Sequence, residues 1–312
     1  MSSAVATRHL LRVTDLREEE LISLLDLAAA MKAEPAPARS SSLAGRTATC
    51  LFEKPSTRTR LSIAAAAHRL GLLPIFMDPA ELQLSRGETI GDTVRAISAY
   101  SSVLVVRTFS HLRLEEMAEV AAIPIVNALS DDHHPCQALA DLLTLRERFG
   151  RLPGLRVAFL GDGRGNVVHS LIEACALAGV GIKVACPDEH RPDREVLERA
   201  AAVVGRSGGG VAVVSSPEEA VAGADCVYTD VWVSMGSEGR EFERIVRLAP
   251  YRVDGRLMAL AAPGAIFMHC LPAHRGLEVT ADVIDGPSSA VWDQAANRMP
   301  TAEAVLATLL DR

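Results

Sequence analysis

The 312 residues carry 32 Lys and Arg against 39 Asp and Glu, a formal net charge of −7, and 49% of them are hydrophobic. A chain of this size and apolar content has material for two packed domains, and its acidity makes nucleic acid and acidic membrane surfaces poor partners. Lysine is confined to Lys32, Lys54 and Lys183, so arginine, which suits oxyanion binding, carries nearly all the positive charge. The cysteines Cys50, Cys136, Cys175, Cys186, Cys226 and Cys270 include no C-x-x-C pair, which fits thiols kept reduced in a cytoplasm. "MSSAVATRHLLRV" has no apolar core before a cleavage signal, and no apolar run approaches about 18 residues, so neither a secretory leader nor a membrane span is expected.

The first element in chain order is an amphipathic helix over "VTDLREEELISLLDLAAAMKAE", with Thr14 or Asp15 as its cap and acids in its first turn. "PAPARSSSLAG" breaks it. From Arg46 onward, short apolar runs alternate with helical stretches. The strand candidates are "TATCLF", "LPIFM", "SVLVVR", "IPIVNA", "RVAFLG", "IKVACP", "GVAVV", "CVYTD" and "AIFMHC". Helical patterns separate most of them, and "TAEAVLATLLDR" reads as a capped terminal helix. This alternation predicts an α/β protein of two domains, each a parallel sheet flanked by helices. Gly150, Pro153 and Gly154 end a long helix, which places the domain boundary near 148/149.

Ligands of open parallel sheets sit beyond the carboxyl ends of strands. Three loops of the first half carry polar groups there: "EKPSTRTR" after the first strand, Arg107 after "SVLVV", and "ALSDDHHPCQ" after "IPIVN". They put Arg58, Arg60, Arg107, His134 and Gln137 on one rim. Ser56 and Thr57 stand where a helix starts, so its free N–H groups add to an oxyanion site of phosphate character. The competing reading is that Ser56 and Thr57 only cap the helix while the arginines are solvated. Asp132, His133, His134 and Cys136 invite a metal reading, but adjacent ligands in a tight turn are poor for one ion, so no metal is expected; His133 is expected to be exposed.

In the second half, Gly161, Gly163 and Gly165 follow a strand as in a dinucleotide fingerprint, with Asp188 as the ribose acid. The third glycine of that fingerprint falls on Asn166, which stands alternatively as a polar ligand at a helix start. Asp230 ends the strand "CVYTD", before a turn containing Ser234, Met235 and Gly236; an acid there suits a substrate ammonium, or simply caps the turn. Cys270 ends the last strand without a legible His–Asn or His–Asp arrangement that would make it a nucleophile. One rim thus suits a phosphorylated donor and the other an amine.

Together, "FEKPSTRTR", "VRT", "NALSDDHHPCQALADL", "DVWVSMG", "HCLPAHRG" and "VWDQAANRM" resemble the aspartate/ornithine carbamoyltransferase family, in the family's order and over nearly the whole chain. The resemblance implies a carbamoyl transfer from carbamoyl phosphate to the δ-amine of L-ornithine, giving citrulline and phosphate, as in arginine biosynthesis, with no cofactor. It implies carbamoyl-phosphate ligands at Ser56, Thr57, Arg58, Thr59, Arg107, His134, Gln137 and Arg298, with Arg107, His134, Cys270 and Arg298 in catalytic positions. It implies ornithine ligands at Asn166, Asp230, Ser234, Met235, Cys270 and Leu271. It further implies a homotrimer or a multiple of trimers, Gln83 reaching a neighbouring subunit's carbamoyl-phosphate site, and a last helix (298–312) folded back onto the first domain. Departures from the family's pattern stand at Ile63, Ala64, Gly165, Ala296 and Pro300, and keep a related diamino acid open as the acceptor.

Overall fold

The computed structural model describes residues 8–34, 43–233 and 241–310. They form two compact units: residues up to Leu139 together with those from Arg298 onward, and Ala140–Asn297. Each unit is a parallel sheet with helices, so the predicted α/β class holds. The division falls inside the helices Pro135–Phe149 and Val291–Leu310.

Unit 1 contains α1 (Glu18–Ala33), β1 (Thr47–Phe52), α2 (Thr57–Arg69), β2 (Leu73–Met77), α3 (Ile90–Tyr100), β3 (Val103–Arg107), α4 (His111–Val120), β4 (Ile125–Leu129) and the start of α5 (Pro135–Phe149). Its strands lie in the order β2-β1-β3-β4, all parallel. The inner strand β3 is a continuous apolar run because both sheet faces are covered, and Val103 to Val106 are all buried. β2, at the edge, is half exposed, with Leu73 and Ile75 open on it.

Unit 2 contains the rest of α5, β5 (Arg156–Leu160), α6 (Asn166–Leu177), β6 (Gly181–Ala185), α7 (Arg194–Ser207), β7 (Val211–Val214), α8 (Pro217–Val221), β8 (Cys226–Thr229), α9 (Glu241–Leu248), α10 (Gly255–Met258), β9 (Ile266–His269), α11 (Ala281–Ile284) and the start of α12 (Val291–Leu310). Its sheet runs β7-β6-β5-β8-β9, again all parallel. All nine predicted strands are present, with ends displaced by a residue or two.

Both sheets reverse their winding direction once. In unit 1 the chain moves outward from β1 to β2, then returns to β3 and goes the other way. In unit 2 it moves from β5 to β7, then returns to β8. The two reversal points, β1/β3 and β5/β8, are where the carboxyl ends of adjacent strands diverge and leave room for a ligand.

Two helix ends differ from the sequence expectation. α1 begins at Glu18, and the Glu20 carboxylate accepts the Arg17 N–H at 2.9 Å. Asp15 instead accepts the N–H groups of Leu11 and Arg12, closing the turn before it. The terminal helix begins at Val291, not Thr301, and continues through Pro300, which lacks the N–H that would bond Ala296 four residues back. Its portion from Arg298 belongs to unit 1, where Arg69 Nε lies 3.1 Å from the fully buried Glu303 carboxylate.

Candidate active site

At the β1/β3 reversal, Ser56 is the N-cap residue of α2 yet makes no side-chain hydrogen bond to its own helix. The simple capping reading therefore fails for Ser56, and the first turn of α2 keeps its N–H groups directed at the loop. The loops around it are fixed by Glu53. Its carboxylate accepts from Thr108 Oγ1 at 2.6 Å and pairs with Arg113 at 2.8 Å, and its own N–H bonds the Arg107 carbonyl at 2.8 Å. Lys54 lies 4.0 Å over the Phe109 ring. The ends of β1 and β3 are thus held in register by an acid that the sequence reading passed over.

Thr59, His134, Gln137 and Arg298 are all buried here. Arg298 donates to Gln137 Oε1 and, at 2.8 Å, to Thr59 Oγ1. Arg107 is half-buried, its Nε has no hydrogen-bond partner among the described residues, and burial together with the charges of Arg298 and Arg58 pushes its pKa down to about 10. His134 is driven well below the usual histidine range by burial and then by Arg298, Arg107 and Arg58. At neutral pH it is an uncharged imidazole surrounded by three guanidinium groups. Like charges gathered at a partly buried strand end are held by the fold and favour a multiply charged anion.

Arg60 does not join this group. Two residues from Arg58 on a helix, it faces elsewhere, exposed, with its guanidinium 4.6 Å over the Phe76 ring. His133 is buried rather than exposed: its Nε2 lies 3.0 Å from Asp132 and its ring packs edge-on to His111. Asn127 and Ser130 tie down the His133 main chain, which sets the start of α5 and so the place of His134. Gln83 is exposed in a short 3-10 turn and accepts from Arg86 at 3.3 Å.

At the β5/β8 reversal, α6 starts at Asn166, and the carboxyl ends of β5, β8 and β9 are neighbours. The glycine loop does not open toward a dinucleotide. The close approach at Gly163 is taken by the protein's own chain, since a Cβ there would lie 2.5 Å from the His190 carbonyl oxygen. Asp188 is exposed and bonds Arg191 at 3.0 Å. Asp162 bonds His190 and Arg244, and both partners hold its carboxyl below the ordinary carboxylate range against the opposing effect of burial.

The Asp230 carboxylate accepts the Val231 N–H at 2.7 Å and the Cys270 thiol at 2.9 Å. Leu271, next to Cys270, has φ of 58°, and its N–H donates to His269 Nδ1 at 2.8 Å. Ser234 and Met235 lie outside the described residues. Within this unit Asp230, His269 and Cys270 place three donor atoms within 4.8 Å of one another, but Cys270 and Asp230 are bonded together and His269 Nδ1 is engaged by the main chain. The sequence reading missed His269 and Glu278, whose buried carboxylate faces the His269 ring.

A chain with two parallel sheets, a cationic reversal point in one and an acidic one in the other, is of the class that binds an anionic donor and an aminated acceptor on separate units. Residues 8–147 match the carbamoyl-P binding domain of the aspartate/ornithine carbamoyltransferases, and residues 153–309 match the Asp/Orn binding domain. The chain belongs to the aspartate/ornithine carbamoyltransferase family. An ornithine carbamoyltransferase of Acidothermus cellulolyticus is 50% identical over 305 residues, covering 97% of each chain. One of Parafrankia sp. is 49% identical, covering 98% of this chain and 97% of its own. The solved ornithine carbamoyltransferase of Pyrococcus furiosus superposes with a TM-score of 0.92 at 44% identity, covering 97% of this chain and 96% of its own.

Proposed function

We propose that this chain transfers the carbamoyl group of carbamoyl phosphate to the δ-amine of L-ornithine, yielding L-citrulline and phosphate. The observation that carries the reading is the convergence of Arg58, Arg107 and Arg298 on a neutral His134 at the β1/β3 reversal. Phosphate oxygens take the N–H groups of Ser56 and Thr57 and the Arg58 and Thr59 side chains. Arg107, His134 and Arg298 serve the carbamoyl oxygen, with Gln137 set by Arg298. In the other unit, Asn166 and Asp230, with Ser234 and Met235, serve the amino-acid group, and Cys270 and the Leu271 main chain flank the δ-amine.

The reaction is attack by a neutral amine on the carbamoyl carbon with loss of phosphate. An alkyl amine of pKa about 10.4 is neutral in roughly one molecule in 2,500 at pH 7, a cost of about 4–5 kcal/mol. Aligning two bound reactants is worth roughly 7–11 kcal/mol, so no covalent intermediate is required. The carbonyl oxygen gains charge as the amine adds, where Arg107 and neutral His134 act as preorganised donors. The guanidinium groups and the α2 N-terminus stabilise the departing phosphate, which also accepts the amine's proton.

The relatives' names favour ornithine over another diamino acid and over nicotinamide chemistry. Ile63 is buried in α2, and Ala296 is exposed, so neither alters the polar cluster directly. We further propose a homotrimer in which Gln83 reaches a neighbouring site, supported by the exposed Gln83 and by the exposed Leu61, Leu73, Ile75 and Tyr100 on unit 1. A cytoplasmic place in arginine biosynthesis fits the reduced cysteines and the absence, among the described residues, of a helix able to cross a membrane. A colorimetric ureido assay with carbamoyl phosphate and a panel of diamino acids tests the reading. Citrulline from ornithine, well above product from 2,4-diaminobutyrate or lysine, supports it; no ureido product with any acceptor overturns it.

A further inference from the structure

Beneath the Cys270–Leu271 turn lies a buried polar chain with no part in substrate binding so far. His269 and Glu278 are both fully buried. His269 Nδ1 accepts the Leu271 N–H at 2.8 Å, so that nitrogen carries no proton, and the ring of this tautomer has its hydrogen on Nε2. Nε2 lies 3.4 Å from Glu278 Oε1, within ion-pair distance but without hydrogen-bond geometry, and neither Nε2 nor Glu278 Oε2 has a hydrogen-bond partner among the described residues. The same carboxylate oxygen accepts the His274 N–H, which closes the far side of the loop. On the strand side, the His269 N–H donates to Gln294 Oε1 at 2.9 Å, and Gln294 Nε2 donates to Asp141 at 2.7 Å. β9 is therefore pinned up to His269, and the chain beyond it is held by the imidazole.

Leu271 adopts φ of 58°, a left-handed conformation unfavourable for a leucine, so the surrounding bonds must impose it. The Leu271 N–H bond to His269 is one such restraint, and it exists only in the Nε2–H tautomer. A carboxylate 3.4 Å from Nε2 favours that tautomer by its charge, which attracts the hydrogen to the nearer nitrogen. We propose that Glu278 is a positioning residue: it fixes the His269 tautomer, and His269 in turn holds the Cys270–Leu271 main chain where the thiol meets Asp230 and the acceptor amine is received. This rests on the ornithine reading above and deepens it, because it assigns acceptor placement to a carboxylate that does not touch the acceptor. A purely structural Glu278 would weaken folding without distinguishing the two substrates.

The test uses the full chain, with citrulline formation and thermal unfolding measured on each variant. Glu278→Leu is expected to raise the ornithine KM at least tenfold while the carbamoyl-phosphate KM changes less than twofold. Glu278→Gln keeps an oxygen that accepts the His274 N–H and lies opposite Nε2, and stays within about threefold of the parent. His269→Asn, whose amide oxygen replaces Nδ1 as acceptor, retains more activity than His269→Gln, and adding Glu278→Leu to His269→Asn has no further effect on the ornithine KM. Equal changes in both KM values, or full additivity in the double variant, would overturn the proposal. Histidine ¹⁵N spectra supply a readout independent of turnover: the parent shows His269 protonated on Nε2 alone, and Glu278→Leu shows a tautomer mixture. A parent that makes no citrulline removes the ornithine reading, while these spectra still decide whether Glu278 sets the tautomer; an Nδ1–H signal in the parent sinks it.

Discussion

The two sheets place their functional groups at equivalent points and with opposite charge. At β1/β3 the groups are arginines that repel one another around a neutral imidazole. Beside β5/β8, at the neighbouring ends of β8 and β9, they are a carboxylate and a thiol already bonded together. The same topology thus supplies two kinds of binding site, and the chemistry comes from which side chains follow the strands. The first cluster gathers unbalanced positive charge, whereas Asp230 and Cys270 already satisfy one another; on the function proposed above, an amine reaching Asp230 would displace that thiol bond.

The sharpest way to break this contrast is Arg58→Gly, expected to lower turnover by 10³-fold or more and to abolish carbamoyl-phosphate binding by calorimetry while the fold persists. Normal turnover in that variant would remove the phosphate assignment. Asp230→Ala should raise the ornithine KM about a hundredfold, about 2.7 kcal/mol, with donor affinity retained. If donor affinity alone suffers, the division of labour is wrong. Cys270→Ser should lower kcat roughly tenfold, because a hydroxyl still donates to Asp230; complete loss with a trapped adduct on the parent thiol would mean covalent catalysis. The smallest effect concerns stability. His134 and His111 both have depressed pKa values, that of His111 brought to about 4 by burial and then by Arg12 and His133. The unfolded chain binds their protons first, so stability is complete above pH 6.5 and is lost as pH falls toward 4. The urea midpoint should follow that slope, and His111→Gln should flatten it.

Much of this was readable from the chain. Every strand is legible as a short apolar run, and Arg58, Arg107 and His134 stand out as polar groups at or in the loops after apolar strands. α8, α9, α10 and α11 are not; α8, α10 and α11 have only four or five residues, too few to show periodicity. α12 extends ten residues upstream of the stretch read as the terminal helix, and it runs through Pro300 despite the missing bond. Glu53 and Glu278 escaped notice for a different reason. Each is a single acid in an unremarkable stretch, and what makes it matter is a partner brought near only by folding, as with Thr108, 55 residues beyond Glu53.

The crowding of Arg58, Arg107 and Arg298 has a practical consequence for anyone handling the protein. Simple tetrahedral oxyanions such as sulfate or inorganic phosphate should protect it against heat in a saturable manner, by about 2.7 kcal/mol at a hundred times their dissociation constant. The same buffers should compete with the donor, so a preparation made robust by them would look sluggish until dialysed.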